Sequence, residues 1–345
     1  MRADLVDVNL AKRVAARVAS TGQLEGSYLL HGIDDQLSVL VGEAAPLVDE
    51  ETGFSPPGKA SAVVMSRADW AAANIDSIVG LMDPLFRRVS ERMSERGGSG
   101  LVVRAYRPAL AVQLAGVMGF IAQRVLGQYD LMAGRGEVWF VGPNLVVMER
   151  RFGFVPRDFR MWVALHELTH RAQFEGNSWM AEHFLSSVKD LMEAIPLDVG
   201  SLVERLTESV RGRPHGNEGQ LALLGPRERK MFEDLQAFMS LIEGHANFVM
   251  DRVAVDLIPT QPRMRRTMRA RSAMEGPLAK FLRRILGLDL KRMQYEEGQN
   301  FVDHIMKVGG KASVTACFSS KESLPTIEEI REPDRWLART GASSA

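Results

Sequence analysis

A chain of 345 residues, 46% hydrophobic and 25% charged, is long enough to bury a substantial core as one large domain or two moderate ones. Its 43 basic and 43 acidic side chains cancel, which leaves no global field to draw nucleic acid or anionic lipid. A single cysteine, Cys317, excludes an internal disulfide framework, leaves any metal to histidine and carboxylate ligands, and fits a reducing cytoplasm.

Residues 1–20 scatter Asp4, Asp7, Lys12, Arg13 and Arg17 among apolar positions, so they read as an amphipathic helix and not as a signal peptide. Residues 43–51 read as the end of a second helix, stopped by the Gly/Pro cluster at 53–58. Residues 1–60 are accordingly assigned to an N-terminal helical region. Ser66, with Asp69 three residues on, caps a helix running toward Leu81 or beyond, with Pro84 either kinking it or starting the next. Past the Gly97-Gly98-Ser99-Gly100 linker comes the most apolar stretch, 109–122. It is shorter than the roughly 20 residues a bilayer requires, so it reads as a buried helix. Gly127-Gln128-Tyr129-Asp130 reads as a cap and turn. Residues 138–141 are the best strand candidate, with 145–148 across Gly142-Pro143-Asn144 as a hairpin mate. Pro156 suits the first turn of a helix whose apolar members Phe159, Trp162, Val163 and Leu165 lead into residue 166. Further helices are expected at 178–195, 202–210, 226–255, 260–286 with a break at Gly276-Pro277, and 291–308, with a mobile loop at 211–225. From Ser319 a tail carrying Pro325 and Pro333 ends in disordered residues 340–345. The expected fold is mainly α, a multi-helix bundle with at most a small β-hairpin near 137–148, and its main domain spans 61–339.

His166-Glu167-Leu168-Thr169-His170 makes the most specific chemical claim in the chain. Helix positions four apart share a face, so both imidazoles reach one zinc ion, and Glu167 reaches a water there as general base. A catalytic zinc needs a third protein ligand. The continuation H-x-x-G-x-x-H is excluded, because Gln173 and Gly176 occupy its glycine and last histidine positions. A glutamate from a later helix is the other common solution. Glu243 fits it, with Asn247 on the same face as a partner to a ligand histidine and Asp251 as a more distant supporting acid. Gly244 and Ala246 are small enough for another helix to approach closely. His183 is the alternative ligand, on a helix able to fold back over the site. For the oxyanion, Tyr295, His245 and Tyr129 are the candidate donors, in that order; His245 points elsewhere than Glu243 and could instead bind substrate. The arginine-rich segment 263–271 has no interleaved aromatics and reads as a solvated helix face, not a nucleic-acid surface. The chemistry expected is zinc-dependent hydrolysis of a peptide or protein, without nucleic-acid or membrane partners. A non-catalytic zinc protein is the alternative.

Several segments carry a family resemblance. Val125-Leu126-Gly127-Gln128-Tyr129-Asp130, Gly142-Pro143-Asn144, Asp158-Phe159 and the run from Trp162 to His170 look like the actinobacterial zincin-like metallopeptidase type 2 family. So do Glu243-Gly244-His245 with Val249-Met250-Asp251, residues 286–291, Gln294-Tyr295 with Gly298 and Phe301, and Leu324-Pro325 with Trp336. The resemblance covers roughly 61–339. It implies a mostly helical zincin-like fold and a zinc hydrolase, with His166, His170 and Glu243 as ligands and Glu167 as base. Members of that family are often labelled as associated with biosynthesis of the deazaflavin coenzyme F-420, which offers an accessory role as a further alternative. One departure is Asn177-Ser178-Trp179, where a proline is expected before the tryptophan; it touches the rim of the site and none of the ligands.

Overall fold

The computed structural model describes residues 5–20, 24, 26–95, 100–132, 136–194, 225–273 and 288–342. Asp7 opens helix α1 (Val8–Ala19) by accepting the Leu10 N–H at 2.9 Å. The buried face of α1 is Ala11, Ala15 and Ala19, a stripe four residues apart that lets neighbours come close. One such neighbour is α4 (Gly100–Ala122), where a Cβ on Gly119 would lie 2.6 Å from that of Val18. Between them in sequence, α3 (Arg67–Glu95) starts as expected. The Asp69 N–H meets Ser66 Oγ at 3.0 Å, and the hydroxyl donates back to the Asp69 carboxylate at 2.6 Å. The helix runs on through Pro84. These three helices share a core of Trp70, Ala71, Ile75, Ala111, Ala115 and Met118, closed by Trp139 and Val141 of the sheet.

The larger core is built on α2 (Ile33–Thr52), whose Ile33, Leu37, Leu40, Val41, Ala44 and Val48 form one helical stripe. Gly53, at φ 72°, ends that helix by donating to the Asp49 carbonyl at 2.9 Å. The stripe packs on α6 (Pro156–Gly176), which carries the HExxH motif, so residues before 61 help to form the core behind it.

A three-stranded sheet lies between the two cores, in the order β1 (Ser61–Met65), β3 (Glu137–Val141), β2 (Gly127–Tyr129). The central strand runs parallel to β1 and antiparallel to β2. Both edges of the expected strand are therefore taken, and the expected hairpin mate at 145–148 is helical instead, in α5 (Gly142–Phe152). Pro143 fits the first turn of that helix. The Asn144 amide donates to the carbonyls of Ala122 (2.8 Å) and Val125 (2.6 Å), and its oxygen accepts from Arg67 Nε at 2.7 Å. Glu149 of α5 grips Arg160 of α6 through two buried contacts of 2.7 and 2.9 Å. The expected turn at 127–130 contains β2.

Beyond α6 come α7 (Trp179–Ala194), α8 (Pro226–Leu257), α9 (Gln261–Ala273) and α10 (Leu288–Ala316), the last bent at Gly310 (φ 70°). The expected helix at 202–210, the break at Gly276-Pro277 and all of the expected loop at 211–225 except Gly225 lie outside the described residues. Helices α8 and α10 cross at glycines. A Cβ on Gly244 would lie 2.2 Å from the Gly298 carbonyl carbon, and one on Gly298 would lie 1.9 Å from the Ser240 oxygen. Asp251 ties three helices together, accepting from Gln261 (2.7 Å) and Gln299 (2.9 Å) and pairing with Arg265 at 2.8 Å. In the arginine-rich α9, Arg263 donates to the carbonyls of Phe152 and Gly153 at the end of α5.

The segment after Ser319 is folded, in contrast to a bare tail. A Thr326/Glu329 capping box opens helix α11 (Ile327–Arg331), and Arg339 of α12 (Pro333–Thr340) pairs with the same Glu329 at 2.6 Å. Trp336, fully buried, donates to the Ser323 carbonyl at 2.7 Å. Residues 343–345 lie outside the described set. Among the described residues no helix is long and apolar enough to cross a membrane.

Candidate metal centre

Helix α6 is buried on most of its circumference, with Phe159, Met161, Val163, Ala164, Leu165, Leu168 and Ala172 all in the core. His166 and His170 stand on its more open side, with side chains 21% and 13% exposed. Their Nε2 atoms lie 3.2 Å apart, and Glu243 Oε2, reaching over from α8, lies 3.6 and 3.7 Å from them. Two imidazole nitrogens and a carboxylate oxygen form a donor set suited to zinc. A tetrahedral zinc with bonds of about 2.0–2.1 Å has ligand-to-ligand edges of about 3.3–3.4 Å, close to the observed triangle. Among the described residues this is the group of three metal-type side chains that converges in this way. His183 is not part of it; its ring packs against Trp179 and Phe238, each at 5.7 Å.

Glu167 lies beside the triangle and is 8% exposed. Its Oε2 accepts the N–H of Tyr129 on β2 at 3.1 Å. The strand passes so close that a Cβ on Gly127 would meet Glu167 Cγ at 2.7 Å and Oε1 at 3.0 Å, so any larger residue there would push the carboxylate aside. Burial raises the Glu167 pKa to about 7; His170 and the Tyr129 N–H oppose that rise and Glu243 adds to it. Such a carboxyl can take and release a proton near neutral pH, and a cation held by the triangle would draw its pKa downward.

Behind the ligands the structure places a residue that sequence reasoning treated only as a missing glycine. Gln173, wholly buried, faces His170 Nδ1 with Oε1 at 2.9 Å, while its Nε2 donates to the Ile242 carbonyl at 2.9 Å and faces His245 Nδ1 at 3.0 Å. The signal available in the sequence was an amide three residues beyond His170, which puts it one turn along on the same side of the helix. Gln173 thus fills the place beside a ligand histidine expected of Asn247. His245 is 1% exposed among Phe54, Phe248 and Phe318, and burial, followed by the charge of His170, pushes its pKa down to about 3. It is a neutral core group behind His170, a position that does not offer the expected substrate contact.

Tyr129, 8% exposed, donates its hydroxyl to Glu175 at 3.3 Å, and burial together with that carboxylate raises its pKa. Glu175 also accepts the Gly136 N–H at 2.9 Å and pairs with Arg171 at 2.9 Å. Arg171 reaches the carbonyls of Pro57 (2.8 Å) and Gly58 (3.2 Å). The motif helix therefore clamps the sheet and the 53–58 loop through residues that do not touch the metal-type cluster. Tyr295 belongs to α10, and its side chain lies outside the described residues.

The sequence matches the zincin-like metallopeptidase family over residues 6–337. The fold is similar to a crystal structure described as "a putative hydrolase with a novel fold from Chloroflexus aurantiacus". The TM-score is 0.72 and the identity 30%, over 97% of this chain and 99% of that one. No curated protein matches.

Proposed function

The chain belongs to the zincin-like metallopeptidase family, and from that premise we propose that it is a zinc-dependent peptidase with His166, His170 and Glu243 as metal ligands and Glu167 as general base. The observation that carries this reading is the convergence of His166 Nε2, His170 Nε2 and Glu243 Oε2 next to a buried carboxylate held by a backbone N–H. Zinc, when bound, supplies Lewis acidity that lowers the pKa of water and polarises a carbonyl.

The residues of the chain do the rest. Glu167 takes a proton from the attacking water and delivers it to the leaving amine, and the Tyr129 N–H fixes the carboxylate orientation throughout. β2 is an edge strand whose outer side carries that N–H, so extended backbone runs beside the base. This arrangement suits a substrate that is itself extended backbone. For the oxyanion we assign Tyr295, because its helix crosses α8 three residues further on, at Gly298, against the neighbour of Glu243.

The test is metal analysis joined to hydrolysis of a peptide library read by mass spectrometry. The chain is expected to carry about one zinc and to cleave peptides. Glu167→Gln keeps the zinc and loses cleavage, and Tyr295→Phe keeps the zinc and lowers kcat. Absence of zinc after growth with the metal would refute the reading, and zinc without cleavage would favour a non-catalytic metal protein.

A further inference from the structure

Gln173 joins the two halves of the metal-type cluster. It projects from the motif helix between His170 and the stretch of α8 that carries Glu243. The chemistry of its partners fixes each proton. A backbone carbonyl only accepts, so the atom facing Ile242 O at 2.9 Å is the amide nitrogen. The amide oxygen is therefore the atom 2.9 Å from His170 Nδ1, and it requires a hydrogen there. Neutral His170 then bears its proton on Nδ1 and leaves a bare lone pair on Nε2, the nitrogen directed at His166 and Glu243. The second amide hydrogen faces His245 Nδ1 at 3.0 Å, which must accept it, so His245 carries its own proton on Nε2. The His245 ring is 1% exposed and enclosed by Phe54, Phe248 and Phe318, so it holds that orientation.

We propose that Gln173 and His245 are a positioning pair that holds His170 in the form able to bind a metal. The same amide sets the level of α8 against α6, through its bond to the residue immediately before Glu243. The purpose of the pair rests on the zinc reading, whereas its hydrogen-bond logic does not. Without Gln173 the His170 ring is at liberty to protonate Nε2, and zinc must displace that proton and reorient the ring.

The experiment uses the full-length chain with 15N-labelled histidine, metal-free at mildly alkaline pH, together with zinc affinity by chelator competition. The wild type should show the proton on Nδ1 of His170 and on Nε2 of His245. Gln173→Leu should release His170 from that form and weaken zinc binding by about 10–100-fold. An ionised Gln173→Glu still accepts from His170 but cannot donate to Ile242 or His245, so it should preserve the His170 form, switch His245 to the Nδ1–H form, and bind zinc with an affinity between those of wild type and Gln173→Leu. If Gln173→Leu does not fold, the His245 switch in Gln173→Glu carries the test. A wild-type His170 protonated on Nε2, or zinc bound equally by wild type and a folded Gln173→Leu chain, overturns the proposal. A wild type with both histidine forms as described but no affinity for zinc would support the pair and refute the proposed function.

Discussion

Replacing Gly298 by alanine places one methyl group where two helices touch through their backbones. The new carbon would lie 1.9 Å from the Ser240 oxygen and 2.7 Å from its carbonyl carbon, with no flexible side chain to yield. A carbon–oxygen contact relaxes at about 3.3 Å, so α8 and α10 must part by about 1.4 Å. Overpacking of this kind costs about 1–3 kcal/mol, which in a chain of this size lowers Tm by about 1–4 °C. The displacement falls next to Glu243, whose carboxylate belongs to a site tolerant of about 0.2 Å in ligand distance. Zinc affinity should therefore fall by about tenfold or more. Calorimetry of the metal-free chain and chelator competition read the two effects separately. Gly42→Ala is the control: this exposed position within α2 has open space around a new Cβ, so it should gain about 0.5–1 kcal/mol. Unchanged Tm and zinc affinity in Gly298→Ala would refute the account of the crossing.

Gly127→Ala drives a methyl into Glu167 and should lower kcat by about 10²–10⁴-fold at unchanged zinc content, measured by steady-state hydrolysis and metal analysis. Glu149→Ala strands the buried Arg160 guanidinium and should cost about 3–5 kcal/mol in urea unfolding. Stripping zinc with a chelator should lower Tm without unfolding the chain. The stabilisation lost would be about 4 kcal/mol relative to free zinc at a thousand times its Kd.

The sequence exposes whatever repeats at short range. The spacing of His166 and His170, the Ser66 cap, Pro156 at a helix start and the small residue at Gly244 were all legible, because each follows from local geometry. So was Glu243 as a candidate, a carboxylate set among the apolar neighbours Leu241, Ile242 and Ala246. The sheet was not. β1 pairs with β3 across more than seventy residues, and β2 is three residues long, too short to show alternation. Residues 145–148 resembled a strand because Val146 and Val147 are β-branched; their helical state is decided by Pro143 and by the three hydrogen bonds of Asn144. Gln173 stayed silent because its meaning depends on Ile242 and His245, which only tertiary structure brings to it. The end of the chain looked like a tail because Pro325 and Pro333 punctuate it, yet Trp336 anchors it.

On α6, Arg171 and Glu175 secure the 53–58 loop, the β2 strand and the turn at Gly136, while His166 and His170 use none of those contacts. The contacts that secure the loop and the turn thus use other atoms than the two histidines, while Glu167 ties the motif to β2 and Gln173 ties it to α8. A descendant of this chain could exchange both histidines and still hold the 53–58 loop and the turn at Gly136 in place, because those contacts belong to Arg171 and Glu175. Inheritance of this fold is therefore weaker evidence for hydrolysis than inheritance of the five motif letters, and the two should be scored separately when other chains are compared with this one.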